Sequence, residues 1–373
     1  MSVVQPRPID AATYAETERR LASLLDTERD LLILQGEAIL VLEAAARGLG
    51  GPGVRVLNLV SGPYGEVIGD WLTVGGATVR HLAVEFDSAI AADVVSETLE
   101  RAEFDVVSVV HAEAATGVVN PLEQIAAAAH AAGAVVLVDA VASVGAEPLL
   151  IDDWDLDLVM LGTQKAMSGP AGVCALVAGE RGWAQIAANA QAPRSSILSL
   201  LDWKDQWIDA GRVKVPGYAY DYEMRALIAA LDELDGDIGL RRLIARHHRA
   251  GVAARAGARA LGLKTWVANE RDAASVVTLL RPPAGVAAAT LVEAAGSHLQ
   301  DGQPTLITSA PGPLAEFALR INHTGSGARP EAVVAALTAL ASGLSQLGLS
   351  PDLTGALAVA QTALADDQRS KSV

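Results

Sequence analysis

Cysteine is almost missing from this chain: its 373 residues carry one, which excludes an internal disulfide and a zinc site built from several thiolates. Aromatic residues are scarce, with 3 Phe, 6 Trp and 5 Tyr in a sequence that is 51% hydrophobic, so Ala, Val and Leu supply the apolar mass. That composition suits packed helices and parallel strands better than an aromatic-rich binding face. Positive charge is also short, 28 Lys and Arg against 44 Asp and Glu, for a formal net charge of −16. With no local basic patch standing out, nucleic acid and anionic membrane surfaces are excluded as partners. No apolar run approaches the roughly 20 residues of a membrane helix, and Met1 to Asp26 is polar, without the apolar core of a signal peptide. The expectation is a soluble cytoplasmic protein without a metal site, long enough for two or three domains.

What is present is alternation. From about Asp30 to Gly179, short β-branched runs change places with Ala-rich helical stretches. Val54 to Leu59, Thr78 to Val84, Phe104 to Val110 and Ala134 to Val138 are predicted as buried strands, and Gly65 to Trp71, Ser88 to Ala102 and Pro121 to Ala132 as helices. The repeat implies an α/β layer with a largely parallel sheet, whose function sits at the strand ends. Two more strands are predicted at Asp157 to Leu161 and Val173 to Val177, and an irregular stretch at Gln191 to Tyr222. One long helical segment follows from about Glu223 to Leu261. Beyond it lie strands at Ser275 to Leu280 and Phe317 to Ile321, and helices near Ala284 to His298 and Pro330 to Leu347. A terminal helix is predicted from Leu353. The expected division is a large α/β domain over 1–245 and a smaller α+β domain over 246–373.

The stretch Val135 to Gly172 carries the chemistry. Asp139 follows four apolar residues, which puts it at the C-terminal end of a buried strand. Lys165 lies just past the next apolar run, 26 residues further on. A carboxylate and a lysine at neighbouring strand ends can face each other across a pyridoxal ring. The lysine then forms a Schiff base, and the aspartate keeps the pyridine nitrogen protonated so that the ring withdraws electrons. Alone, the pair also fits a helix-capping Asp and a solvated loop Lys.

Three motifs decide between these readings: HAEAATG at His111 to Gly117, VDAVASVG at Val138 to Gly145 and GTQKAMSGPAG at Gly162 to Gly172. In order and spacing they resemble the class V aminotransferases, within the fold-type I pyridoxal phosphate enzymes, over about Leu31 to Leu347. The resemblance implies a large domain with a mostly parallel mixed sheet between helices, a smaller C-terminal α+β domain, and a homodimer or possibly a tetramer. It implies that Lys165 and Asp139 are catalytic, that Tyr64 stacks on the ring, and that Thr116 and Gln164 lie at the cofactor. Arg320, in FALRINHTG, matches the arginine that grips the substrate carboxylate, a task its planar fork suits.

The stretches Leu32 to Ala46, Val56 to Trp71 and Gln191 to Trp207 are similar to a branch of the family that turns over free pyridoxamine without a phosphate. At the start of the first large-domain helix, where relatives bind the phosphate through backbone N–H groups, this chain has Gly36-Glu37-Ala38-Ile39. A carboxylate there repels a phosphate, whereas a hydroxymethyl group could donate a hydrogen bond to it. The partner-subunit segment that usually adds a threonine reads VPGYAYDY here, without Thr or Ser, and offers Tyr218 and Tyr220 instead. Two departures concern recognition: Ala114 replaces the usual hydroxyl near the ring oxygen, and Ser309 to Pro313 lacks a second arginine. The chain before Tyr14 also has little of the family's Gly- and Pro-rich entry segment, so either the start is truncated relative to the family or the pocket is more open. The expected activity is transfer of an amino group from pyridoxamine or an amino acid to a 2-oxo acid such as pyruvate. The cofactor is pyridoxal 5'-phosphate, or an unphosphorylated pyridoxal or pyridoxamine bound as a substrate. The alternative on the same fold is a pyridoxal phosphate-dependent biosynthetic enzyme: an alanine-glyoxylate-type transaminase, a lyase or an aldol-type enzyme.

Overall fold

The computed structural model describes residues 8–217, 219, 221–234, 239–296 and 306–365. Chain entry is fixed by helix α1 (Ala11–Leu24), which Asp10 caps by accepting a hydrogen bond from the Thr13 N–H. The buried Tyr14 hydroxyl on α1 donates to the Ile33 carbonyl on strand β1 (Asp30–Gln35). Next come α2 (Ala38–Leu49), β2 (Arg55–Val60), α3 (Pro63–Val74), β3 (Thr78–Ala83), α4 (Ala92–Arg101) and β4 (Val106–Val110). A hairpin, β5 (Ala112–Glu113) with β6 (Val118–Val119), then leads to α5 (Leu122–Ala131), β7 (Val135–Asp139), β8 (Leu158–Gly162), β9 (Val173–Ala178) and α6 (Glu180–Ala188).

The seven-stranded sheet has the order β1-β9-β8-β7-β4-β2-β3. All neighbours from β8 to β3 pair parallel, and β9 pairs antiparallel with both β8 and β1, so β9 alone is reversed. Strands β4, β7, β8 and β9 are buried at every residue, which is why their sequences are unbroken apolar runs rather than alternating ones. Strand β3 departs from the expectation of a buried strand. It is the sheet edge, its six residues are exposed or half-buried, and its Arg80 and His81 suit a side open to solvent.

Within the stretch expected to be irregular, α7 (Leu200–Trp203) runs into a wide helical turn, Lys204–Ile208. The long helical segment expected from about Glu223 to Leu261 is helical over α8 (Asp221–Leu234) and α9 (Gly239–Ala260), with residues 235–238 outside the described residues. The smaller sheet is antiparallel throughout, in the order β10 (Lys264–Thr265), β11 (Thr278–Arg281), β13 (Leu319–Ile321), β12 (Ile307–Ser309). It carries α10 (Ala288–Gly296), α11 (Pro330–Gln346) and α12 (Leu353–Ala365). One apolar cluster runs from Ile9 to Leu243, a second from Ala250 to Ala360, and a third joins Ala112, Ala142 and Ala166 to Val277 and Ala318. Among the described residues, no helix is long and apolar enough to cross a membrane.

Candidate active site

Strands β1, β2, β4, β7 and β8 share one direction, so their carboxyl ends lie along one edge of the sheet. The chain leaves them at Gly36, Ser61, His111, Ala140 and Thr163; Glu37, Ala38, Ile39, Tyr64, Thr116, Gln164 and Lys165 follow from these exits, and Asp139 is the last residue of β7. Open α/β sheets bind ligands at this edge because the side chains there are not consumed by the core.

Asp139 ends β7 and is buried. Its Oδ1 accepts a hydrogen bond from the Val141 N–H at 2.8 Å, which fixes the carboxylate at the strand mouth. Burial raises its pKa, against the opposing pull of the Lys165 charge and the Val141 N–H. Lys165 lies three residues beyond β8, and burial lowers its pKa while Asp139, Glu113 and Glu37 draw it back up. Its Nζ stands 5.3 Å from the centroid of the Tyr64 ring. Tyr64 is the second residue of α3. Its own pKa is raised, first by burial and then by Glu113, Asp139 and Glu37, with Arg320 opposing. Six of the site's side chains are therefore near enough to act on one another electrostatically. Arg320 reaches this group from β13 of the other sheet, and its Nε donates to Asn322 Oδ1 at 3.1 Å.

At the end of β1, Glu37 is the N-cap of α2. One carboxylate oxygen accepts from the Ile39 N–H at 2.8 Å and the other from Gln164 Nε2, also at 2.8 Å. Ala38 is buried under this cap and Ile39 is exposed. Gln164 leaves its Oε1 buried with no hydrogen-bond partner. Thr116 is buried with its hydroxyl turned to backbone, donating to the Ser61 carbonyl and accepting from the Val118 N–H, each at 3.4 Å. Tyr218 and Tyr220 lie outside the described residues.

Two residues in the HAEAATG motif were given no role from sequence, although the motif itself pointed at them. Glu113 is fully buried, and its carboxylate accepts from the Tyr64 N–H at 3.0 Å and the Ala115 N–H at 3.1 Å. Burial pushes its pKa up to about 7. It passes so close to Gly62 that a Cβ on that glycine would lie 2.2 Å from Glu113 Cγ. His111 sits on the far side of Asp139, with its N–H donating to the Asp139 carbonyl and its ring packed edge-on to Trp154. Burial pushes its pKa down to about 4, and Nδ1 has no partner.

A buried carboxylate, a half-buried lysine and a half-buried aromatic at the mouth of a parallel sheet define the class: a fold-type I enzyme of pyridoxal chemistry. The residues suit such a group, because the lysine is held in a partly dehydrated place and an amide oxygen is left unsatisfied beside it. The family described as aminotransferase class-V matches residues 16–188. The pyridoxamine–pyruvate transaminase of Mesorhizobium japonicum is 35% identical over 334 residues, 88% of this chain and 83% of the relative. The alanine–glyoxylate aminotransferase of Drosophila melanogaster is 25% identical over 84% of this chain and 79% of the relative. Among solved structures, pyridoxamine-pyruvate aminotransferase from Mesorhizobium loti superposes with a TM-score of 0.88 at 32% identity, covering 95% of this chain and 89% of that one. The chain belongs to the class V aminotransferases, and it is an aminotransferase. The relatives do not favour the lyase or aldol-type alternative.

Proposed function

We propose that this aminotransferase takes the amino group of free pyridoxamine and passes it to a 2-oxo acid, with pyruvate as the first acceptor to test. The observation that carries the reading is Glu37. Its carboxylate already satisfies the Ile39 N–H at the start of α2 and holds the Gln164 amide, so both donors a phosphate would use are engaged by a negative charge. Between unit charges at 4 Å the repulsion is about 1 kcal/mol in water and ~4 kcal/mol at intermediate dielectric; exposed Glu37 belongs toward the lower figure. A neutral hydroxymethyl group meets no such penalty and can donate to the same carboxylate.

A pyridoxal-type ring bound at this edge supplies the carbonyl and the electron-withdrawing system that transamination needs. The chain's own groups do the rest. Lys165, whose pKa burial lowers, offers its amine for covalent attachment and afterwards carries a proton between two carbons. Asp139, pinned by the Val141 N–H, supplies the negative charge for a protonated ring nitrogen. Tyr64 supplies a flat face, held in place by Glu113, and Arg320 binds the carboxylate of the acid. Ala38 and Ile39 form the floor beside Glu37, and Thr116 braces the turn that carries Glu113.

The same reading includes a homodimer in which Tyr218 and Tyr220 reach the partner's site. Apolar exposure at Ile197, Val213 and Tyr222 supports it. A cytoplasmic location accords with the single free, buried Cys174. The division at residues 245 and 246 is supported by apolar clusters that end at Leu243 and restart at Ala250.

The test is a binding titration of vitamer-free enzyme with pyridoxal and with its 5'-phosphate, followed by dialysis and absorbance. The wild type is expected to prefer the free ring by about tenfold or more, equivalent to ~1.4 kcal/mol, and Glu37→Ser to shift that ratio toward the phosphate. Lys165→Ala is expected to lose the visible absorbance with both. Tighter binding of the phosphorylated ring by the wild type overturns the proposal.

A further inference from the structure

Helix α9 carries His247, Gly251 and Arg255 at i, i+4 and i+8, so they lie along one face, and all three are buried. At His247 and Gly251 that face is seated against the turn that follows β13, the strand of Arg320. Gly251 leaves room for His323, whose Cε1 would stand 3.3 Å from a Cβ on the glycine. Arg255 donates through Nη1 to the Ala274 carbonyl at 3.2 Å and pairs with Glu270. His247 spends both ring nitrogens on backbone. Its Nδ1 is 2.8 Å from the Leu243 carbonyl oxygen, which can only accept, and its Nε2 is 3.0 Å from the Gly325 nitrogen, which can only donate. The ring proton is therefore on Nδ1 and the imidazole is neutral. Burial agrees, pushing its pKa down to about 4. With neither nitrogen left free, the side chain is a strut and not an acid or a base.

What Gly325 touches gives the strut its consequence. Its carbonyl accepts from Arg246 Nη2 at 3.2 Å, so consecutive residues of α9 hold both backbone polar groups of this one glycine. Gly325 has a φ of 56°, and a Cβ there would stand 2.8 Å from Ser168 Oγ and 3.0 Å from the Lys165 carbonyl oxygen. The glycine backbone therefore lies directly on the turn from Lys165 to Ser168, which the Ser168 N–H closes onto that same carbonyl at 3.1 Å. At its other end the segment begins with Arg320, five residues earlier, on a strand paired to both β11 and β12. Between the two, His323 Nε2 meets the Thr278 hydroxyl of β11 at 2.8 Å. The six residues from Arg320 to Gly325 thus run from the substrate arginine to the backbone of the catalytic lysine, and His247 fixes the lysine end.

We propose that His247 is a positioning residue: by accepting the Gly325 N–H it holds the turn after Arg320 against the turn of Lys165, and so sets the spacing between the guanidinium that binds the acid's carboxylate and the amine that moves its proton. The inference rests on the roles given above to Arg320 and Lys165, and it is the same for either form of the ring. Misplacement by about 1 Å is enough to slow a positioned reaction on the order of a hundredfold, which gives the strut its leverage. The test uses the full-length enzyme loaded with whichever ring the wild type retains, assayed with pyruvate and normalised to active sites counted by absorbance. His247→Leu, which loses both nitrogens, is expected to raise KM for pyruvate about fivefold or more, and His247→Gln, whose Oε1 can accept the same N–H, to recover most of it. In an Arg320→Gln background His247→Leu is expected to raise KM no further, because the group it positions is gone. Hydrogen exchange in the vitamer-free protein reads the strut without turnover: the Gly325 amide is expected to exchange faster in His247→Leu and to slow again in His247→Gln. Where His247→Leu does not fold, Gly325→Ala, which presses a methyl onto the Lys165 carbonyl with His247 intact, is expected to raise KM by a similar factor. A purely structural histidine would lower Tm and leave KM alone. With KM raised in Arg320→Gln, a KM within about twofold of wild type in His247→Leu, or in Gly325→Ala where it replaces it, overturns the proposal. So does a rise that His247→Gln does not relieve, or one that persists undiminished in the Arg320→Gln background. A normal KM in Arg320→Gln itself removes the role of Arg320 first, and the proposal with it.

Discussion

Arg320 is the residue whose role is most exposed to test. It comes from a different sheet than the lysine it serves, it is partly desolvated, and its only described hydrogen bond is to Asn322. A guanidinium held at one nitrogen keeps the rest of its fork for a carboxylate. Arg320→Gln is expected to raise KM for the 2-oxo acid by about tenfold to a hundredfold while the absorbance of bound pyridoxal stays normal, since loss of a charge-assisted pair costs ~1.5 to 3 kcal/mol. A normal KM in steady-state assays would remove it from the substrate site. The chain lacks a second arginine at Ser309 to Pro313, so no neighbouring guanidinium stands in for it there. The placements of Asp139 and Arg320 were legible in the sequence because each follows directly on an apolar run, and that of Lys165 because it lies a few residues beyond one. Glu113 was not, because nothing in its immediate neighbours tells that its carboxylate turns back to the Tyr64 N–H 49 residues earlier in the chain.

At the scale of elements, the site depends on how tightly the exits from β2 and β4 pass one another. Gly62 has no room for a side chain because Glu113 fills the place, so the glycine is needed for close approach and not for an unusual φ, which is 176°. Gly62→Ala is expected to destabilise the protein by ~1 to 3 kcal/mol and to displace Tyr64. In urea unfolding, the double variant Gly62→Ala/Glu113→Ala should lose less than the sum of the two singles, because the alanine methyl then meets an emptied space. Strict additivity would show that the two residues do not interfere. Element types were largely legible here, since buried parallel strands are written as plain apolar runs. The edge strand β3 was misread as buried because Val79, Leu82 and Val84 are as apolar as the residues of a central strand. Only the sheet order places it outermost.

For the whole molecule, the contact beside the third apolar cluster, which joins the stretch around Ala146 to that around Val276, is titratable. Glu147, on the large-domain side, is buried and accepts from the Ser275 N–H beyond α9. Burial pushes its pKa from 4.5 up to about 7, so the folded chain retains a proton there that the unfolded chain releases. This contribution is whole below pH 4.5 and is lost as the pH rises through about 7. His247 and His323 act in the opposite sense. Pushed down to about 4 and about 3, they withdraw stability as the pH falls below 6.5. Glu147→Gln is therefore expected to gain in Tm relative to wild type between about pH 5 and about pH 8, read by scanning calorimetry; a constant difference across that range would discount the group. The sequence by itself determined the alternating layers, the lysine and aspartate at strand ends and the family, because local hydrophobic pattern and short motifs are properties of neighbours along the chain. Tertiary structure decided that Glu37 and Gln164, 127 positions apart, close over the start of α2. It also decided that the Glu113 carboxylate returns to the Tyr64 N–H, because which groups meet across space depends on packing and not on spacing in the chain.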